Sequence, residues 1–189
     1  MKLKIVFFGA SLAGKSTTVR KLYEILKGKG LAKGDFLSIE TDENRTLFVE
    51  MFLSKIPIEG EELDVKILTT PGQFRLHPLR KAILQGVDGL VFTVDSQKGR
   101  EEINFLVLRE MAHVLKELGY DLYSIPVIVQ YNKRDLPNAL PIEELQFVCN
   151  PWDAPYTETI ATQGKGVLET FRLIVGKVLK SHVEGRSNR

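Results

Sequence analysis

The sequence predicts a single α/β domain, built on a mostly parallel sheet of about six strands with one antiparallel edge strand and helices on both faces. Three observations carry this. Near-continuous apolar runs at 3–8, 89–94 and 125–130 read as strands buried on both sides, which lose the alternation of half-exposed ones. Helical stripes at 17–27, 100–118 and 166–182 separate or follow them, and strands joined through helices make right-handed crossovers into a parallel sheet. Between these, Leu47, Val49, Met51 and Leu53 alternate, and Leu63, Val65 and Ile67 alternate again after a turn-like 57–60, the pattern of an antiparallel pair.

Each element has its own reason. The first strand contains Leu3, Ile5, Val6, Phe7 and Phe8 and stops at Gly9. The first helix carries Val19, Leu22, Tyr23, Ile25 and Leu26 at helical spacing, with Gly28 and Gly30 available to end it. Residues 28–38 are rich in glycine and lysine and read as loop. The helix at 100–118 carries Ile103, Leu106, Val107, Val114, Leu115 and Leu118 on a helical stripe; that at 166–182 does the same with Val167, Phe171, Ile174, Val175 and Val178. Residues 156–160 make the last strand, so the domain spans 1–182 and a short polar tail follows at 183–189.

Composition narrows the class. The chain's 189 residues are one domain's worth, able to bury about 70% of the unfolded surface around one core. Its 26 basic and 24 acidic residues leave a net charge of +2, which gives no case for a nucleic-acid partner. His77, His113 and His182 are scattered and form no metal cluster, and the single Cys149 excludes an internal disulfide and suits a reducing cytoplasm. No apolar run approaches the ~18 residues of a membrane span. Lys2 excludes N-myristoylation and the last residues offer no cysteine to prenylate, so no direct membrane anchor is expected.

Residues 9–16, Gly-Ala-Ser-Leu-Ala-Gly-Lys-Ser, match G-x-x-x-x-G-K-[ST] in full and lie between a strand and a helix N-terminus, where that motif works. Phosphate is held by backbone N–H donors, by the positive end of a helix dipole and by a cation reaching its outer oxygens. Gly9 and Gly14 let the backbone curl around the anion, and Ala13 and Thr17 complete the nucleotide-contacting set. Lys15 reaches the β and γ phosphates, while the Ser16 hydroxyl ligates the Mg²⁺ that bridges them.

A second polar cluster follows the third buried run: Asn132-Lys133-Arg134-Asp135. In open α/β sheets ligands sit beyond the carboxyl ends of the strands, where this cluster falls. A carboxylate there accepts two hydrogen bonds from the N1–H and exocyclic amine of guanine, whereas adenine offers an acceptor and no amine. Each buried group left unpaired costs about 1–3 kcal/mol, enough for Asp135 to reject ATP. Asn132 can bond the base and tie this loop to residues 9–16, and the Lys133 stem can cover the ring. Taken alone, the four letters also suit a solvated turn; the joint occurrence of both loops argues against it.

With both loops in hand, the chain resembles a Ras-superfamily small GTPase over nearly its whole length. More narrowly, residues 41–52, Thr-Asp-Glu-Asn-Arg-Thr-Leu-Phe-Val-Glu-Met-Phe, and 69–73, Thr-Thr-Pro-Gly-Gln, resemble the bacterial MglA group of gliding-motility and cell-polarity GTPases. The resemblance implies the P-loop small G-protein fold, hydrolysis of GTP to GDP and phosphate with Mg²⁺, and a switch that GTP orders and hydrolysis releases. It assigns Gln73 to orienting the attacking water and Thr46 to Mg²⁺ and the γ phosphate. It gives the Gly72 N–H the matching γ-phosphate contact, and makes Arg45 an arginine supplied in cis. Residues 158–162 resemble the loop supporting the guanine carbonyl, which adds Ala161 and Thr162 to the base contacts; Ile160 and Thr162 replace the serine and lysine of the usual Ser-Ala-Lys. Its implied partners are a MglB-like roadblock-domain GTPase-activating protein and motility or polarity effectors.

Most small GTPases carry at the Thr69 position an aspartate that holds Mg²⁺ through water, and MglA-like proteins carry threonine. Thr69 also reads as a strand-end hydroxyl satisfying the backbone. Glu50, four residues beyond Thr46, reads either as a replacement outer-sphere carboxylate or as a partner-facing strand residue. Arg45 equally suits an exposed loop, His77 and His113 suit surface or satisfied helical positions, and Phe48 and Phe52 suit core or interface. Two other functions stay open to the sequence: a GTP-binding scaffold with little hydrolysis, which the missing aspartate allows, and an ATP-dependent P-loop kinase, which Asp135 and the lack of an evident lid oppose.

Overall fold

A computed structural model describes residues 1–40, 48–72 and 76–187. Among them one sheet forms from β1 (Lys2–Gly9), β2 (Ala32–Glu40), β3 (Phe48–Ile58), β4 (Glu61–Thr69), β5 (Gly89–Asp95), β6 (Val127–Asn132) and β7 (Tyr156–Glu158). The strands lie in the order β2-β3-β4-β1-β5-β6-β7. Parallel pairing runs from β4 through β1, β5 and β6 to β7, and only β3 runs against its neighbours, antiparallel to both β2 and β4.

The helices are α1 (Lys15–Gly28), α2 (His77–Leu84), α3 (Glu101–Glu117), α4 (Ile142–Cys149) and α5 (Val167–Ser187). They cover the sheet as two layers. Ile5 and Phe7 of β1 join Val19, Leu22 and Leu26 of α1 and Phe171, Ile174 and Val178 of α5. Val6 and Phe8, pointing the other way, join Leu84 of α2, Val107, Met111 and Leu115 of α3, and Leu145 of α4. This two-sided burial is why the first strand reads as a continuous apolar run.

The sheet has seven strands rather than about six, because residues read as loop form β2. That strand carries no burial signature: Lys33, Gly34, Asp35, Leu37, Ser38 and Ile39 are exposed, and its register shifts between Lys33 and Leu37. Its pairing with β3 makes it a strand. The antiparallel strand is accordingly one position in from the edge. The helices α2 and α4, two turns each, are too short to show a stripe; Pro78 in the first turn of α2 and Pro141 just ahead of α4 were the available start signals. At the other end, α5 runs through Ser187 into the segment read as a polar tail.

Alternation located β3 but marked its less protected face. Leu53 is 41% exposed, whereas Glu50, Phe52 and Ser54 lie buried on the α1 side. Phe52 is core, in contact with the Tyr23 and Phe36 rings. Cys149 is fully buried, and burial pushes its thiol up to about 12.

Ile174 is fully buried between α5 and the sheet, and Phe147 on α4 is exposed. Ile174→Ala should therefore cost about 2–5 kcal/mol in urea denaturation with saturating nucleotide, and Phe147→Ala less than about 0.5 kcal/mol.

Candidate functional site

The loop of residues 9–16 leaves β1 at the centre of the sheet and enters α1 at Lys15. Two glycines are required there by contact as well as by conformation. A Cβ on Gly9 would lie 2.3 Å from the Thr93 carbonyl oxygen of β5; one on Gly14, whose φ is +102°, would lie 2.1 Å from Asn132 Nδ2. Leu12 adopts φ 64° at the exposed tip, and the Ala13 N–H donates to Ala10 O at 3.2 Å. Ser16 and Thr17 follow in the first turn of α1, partly exposed, with backbone N–H groups that a helix start leaves free for an anion.

Lys15 is buried, and its ammonium donates to Gly9 O at 2.8 Å and Ala10 O at 2.6 Å. Burial lowers its pKa from 10.5 to about 7, with Arg80 adding a smaller like-charge push. A loop that holds a lysine this far below its ordinary value is short of negative charge. A phosphate group is an anion that would supply it.

Asn132 closes the site from the other side. Its Nδ2 donates to Ala13 O at 3.0 Å, and its Oδ1 accepts from Thr159 Oγ1 and from the Ala161 N–H, both at 3.0 Å. One side chain thus ties the phosphate loop to the end of β6 and to the 3-10 turn Ala161–Gln163. Beneath it, Gln130 donates to Thr18 Oγ1 at 2.9 Å and Thr159 Oγ1 at 3.0 Å, and accepts from Thr93 Oγ1 at 3.0 Å. Lys133, at φ 64°, donates to the buried Asp95 at 2.9 Å, which holds its side chain against the end of β5. Asp135 and Thr162 are exposed, whereas Ala161 is buried. Sequence reasoning did not single out Gln130, Thr93, Thr159 or Asp95; the signal was a polar residue inside an apolar strand or at its end.

Gly72 lies against the phosphate loop: a Cβ there would be 2.4 Å from Ser11 Cα. The preceding Pro71 is held by Arg80 of α2, which is completely buried, donates from Nε to Pro71 O at 2.7 Å, pairs with Glu110 of α3 and lies over the Phe8 ring. Arg80 was invisible to pattern reading, because a buried arginine in a short helix looks like an exposed one. Thr69 accepts the Glu50 N–H at 2.9 Å, as a strand-end hydroxyl would. His77 stands 3.2 Å from Glu117 and 3.5 Å from Glu110, and His113 pairs with Glu117, so both are helical surface partners. Arg45, Thr46 and Gln73 lie outside the described residues.

A glycine-rich loop at the carboxyl end of the central strand, clamped to a polar loop two strands away, defines a P-loop nucleotide-binding domain. The Ras family model matches residues 4–180. The chain is 40% identical over 183 residues to the mutual gliding-motility protein MglA of Myxococcus xanthus, covering 96% of this chain and 93% of that protein. It is 28% identical to a GTP-binding protein Rheb homolog of Dictyostelium discoideum, covering 94% and 88%, and 28% identical to elongation factor 4 of Thermus thermophilus, covering 87% of this chain and 27% of that one. The chain belongs to the Ras family. It is a small GTPase, a GTP-binding switch of the P-loop class.

Two outcomes follow for the site. Between pH 7 and 10.5 the nucleotide-free fold binds fewer protons at Lys15 than the unfolded chain does, so raising the pH relieves a cost of folding. Phosphate reverses this by restoring the charge. GDP binding at pH 8.5 should take up about one proton and at pH 6 almost none, read by titration calorimetry in buffers of different ionisation enthalpy. Separately, Asp135→Ala should weaken GTP binding about 10- to 100-fold while leaving ATP binding unchanged, measured by competition against a labelled nucleotide.

Proposed function

We propose that this chain is a cytoplasmic, MglA-like switch in the control of bacterial cell polarity or gliding motility, slow on its own and accelerated by an activating partner. The reading is supported above all by the contact of Gly72 with Ser11, which puts the segment ahead of Gln73 directly on the phosphate loop. A segment so placed can report whether a γ phosphate is present. The similarity to MglA over nearly the full chain supports the narrower role, and no helix among the described residues is long and apolar enough to cross a membrane.

In this reading Gly9, Ala13, Gly14, Lys15, Ser16 and Thr17 hold the phosphates, and Asn132, Lys133, Asp135, Ala161 and Thr162 hold guanine. Mg²⁺, when bound, neutralises charge on the β and γ phosphates. Ser16 and Thr46 hold it, together with phosphate oxygens; the described residues contain no group of three His, Cys, Asp or Glu that would cage it alone. Lys15 keeps its proton against the outer oxygens. Gln73 orients water, Gly72 donates its N–H, and Arg45 stabilises the charge that develops as the γ phosphoryl leaves. A MglB-like roadblock-domain protein aims Arg45 and Gln73, and effectors read the GTP-ordered segments.

The isolated chain should therefore turn over GTP slowly in single-turnover assays. Arg45→Ala should remove roughly 10³- to 10⁵-fold of the partner-stimulated rate, with GTP affinity unchanged. A fast isolated enzyme, indifferent to that substitution, would contradict the reading. No hydrolysis even with the partner would favour a GTP-binding scaffold.

A further inference from the structure

Glu50 is 1% exposed, and the described residues around it account for only half of its carboxylate. It lies on β3, one residue before the Met51–Leu68 pair, with its N–H bonded to the Thr69 hydroxyl of β4. Alternation along the strand puts its side chain on the same face as Phe52 and Ser54, the face that α1 covers. There Oε1 accepts from Arg20 Nη2 at 2.6 Å. Arg20 is one helical turn beyond Ser16 on α1, and Ser16, Thr17 and Arg20 line a common hollow. The other oxygen, Oε2, is buried without a hydrogen-bond partner among the described residues.

A buried, unsatisfied carboxylate oxygen is costly, and a charge is rarely kept in such a place without a second partner. The Arg20 ion pair does not explain it. That guanidinium is 59% exposed, lies over the Phe36 ring and reaches only Oε1. Thr69, directly across the strand pair, is neutral, short and already engaged by a backbone N–H. The carboxylate missing from β4 is thus matched by an orphaned carboxylate oxygen beside it, on the same face.

We propose that Glu50 supplies from β3 the outer-sphere carboxylate for magnesium that most small GTPases take from the Thr69 position on β4. Oε2 accepts a hydrogen bond from water on the Mg²⁺ that Ser16 holds, and Arg20 orients the carboxylate by holding Oε1. This rests on the magnesium–nucleotide site proposed above. Its consequence is that metal retention is wired to β3, the strand that continues from Arg45 and Thr46, instead of to β4.

The test is the release of fluorescently labelled GDP from the full chain as a function of free Mg²⁺. Glu50→Gln keeps the shape and removes the charge. It should raise the Mg²⁺ concentration for half-maximal retention about tenfold or more, with release in excess EDTA unchanged. Thr69→Asp in the parent should shift that midpoint by no more than about threefold, because a carboxylate is already present; in the Glu50→Gln background it should restore the midpoint. A Glu50→Gln shift below about tenfold overturns the proposal, whether or not the melting temperature falls, and leaves Glu50 as a structural partner of Arg20. Should Glu50→Gln fail to fold, Thr69→Asp decides alone: a gain above about threefold shows that the site lacked a carboxylate and overturns it. A parent whose GDP release ignores Mg²⁺ defeats the magnesium site itself, a result distinct from a parent that responds and a variant that does not.

Discussion

The side chain of Asn132 ties the loop of residues 9–16 to the loops that follow β6 and β7. It fills both ends of its amide: the NH₂ bonds the Ala13 carbonyl in the phosphate loop, and the oxygen takes the Thr159 hydroxyl and the Ala161 N–H. The approach is so close that Gly14 must lack a Cβ. A side chain satisfied on both sides is held in one orientation, and three segments far apart in sequence are held with it. The loop of residues 9–16 and the loop after β6 are therefore tied into a single surface.

The loop of residues 9–16 carries a charge that burial disfavours. Lys15 is buried among carbonyls, and Arg80 is buried close enough to lower its pKa further. Arg80 is at the same time the clasp that holds Pro71, next to Gly72, to α3 through Glu110. One cation thus positions the second loop that meets the phosphates and raises the demand for anionic charge at the first. An anion bound beside Lys15 would offset that cost.

The parts legible in the sequence were those with a period or a motif. β1, β5 and β6 announced themselves because burial on both faces leaves no room for polar residues, and the two loops because their chemistry demands fixed residue types. β2 was not legible, since an exposed strand with a glycine and a register shift is held by pairing alone. Nor were α2 and α4, two turns each. In the site, Asn132, Gly9, Gly14 and Lys15 were readable from spacing. Gln130, Asp95 and Arg80 were not, because their roles arise only when strands or helices adjacent in the fold, but apart along the chain, bring polar groups face to face. Glu50 stood between: its position near Thr46 flagged it, but only the pairing with Thr69 and Arg20 showed which way it points.

As a switch of the proposed kind, the chain should report the γ phosphate through the segments beside this surface. Hydrogen exchange of residues 41–47 and 72–75, compared between Mg²⁺–GDP and a Mg²⁺-bound non-hydrolysable GTP analogue, tests it directly. Both segments should be markedly protected with the analogue and lose that protection with GDP. Equal exchange in the two states would contradict it.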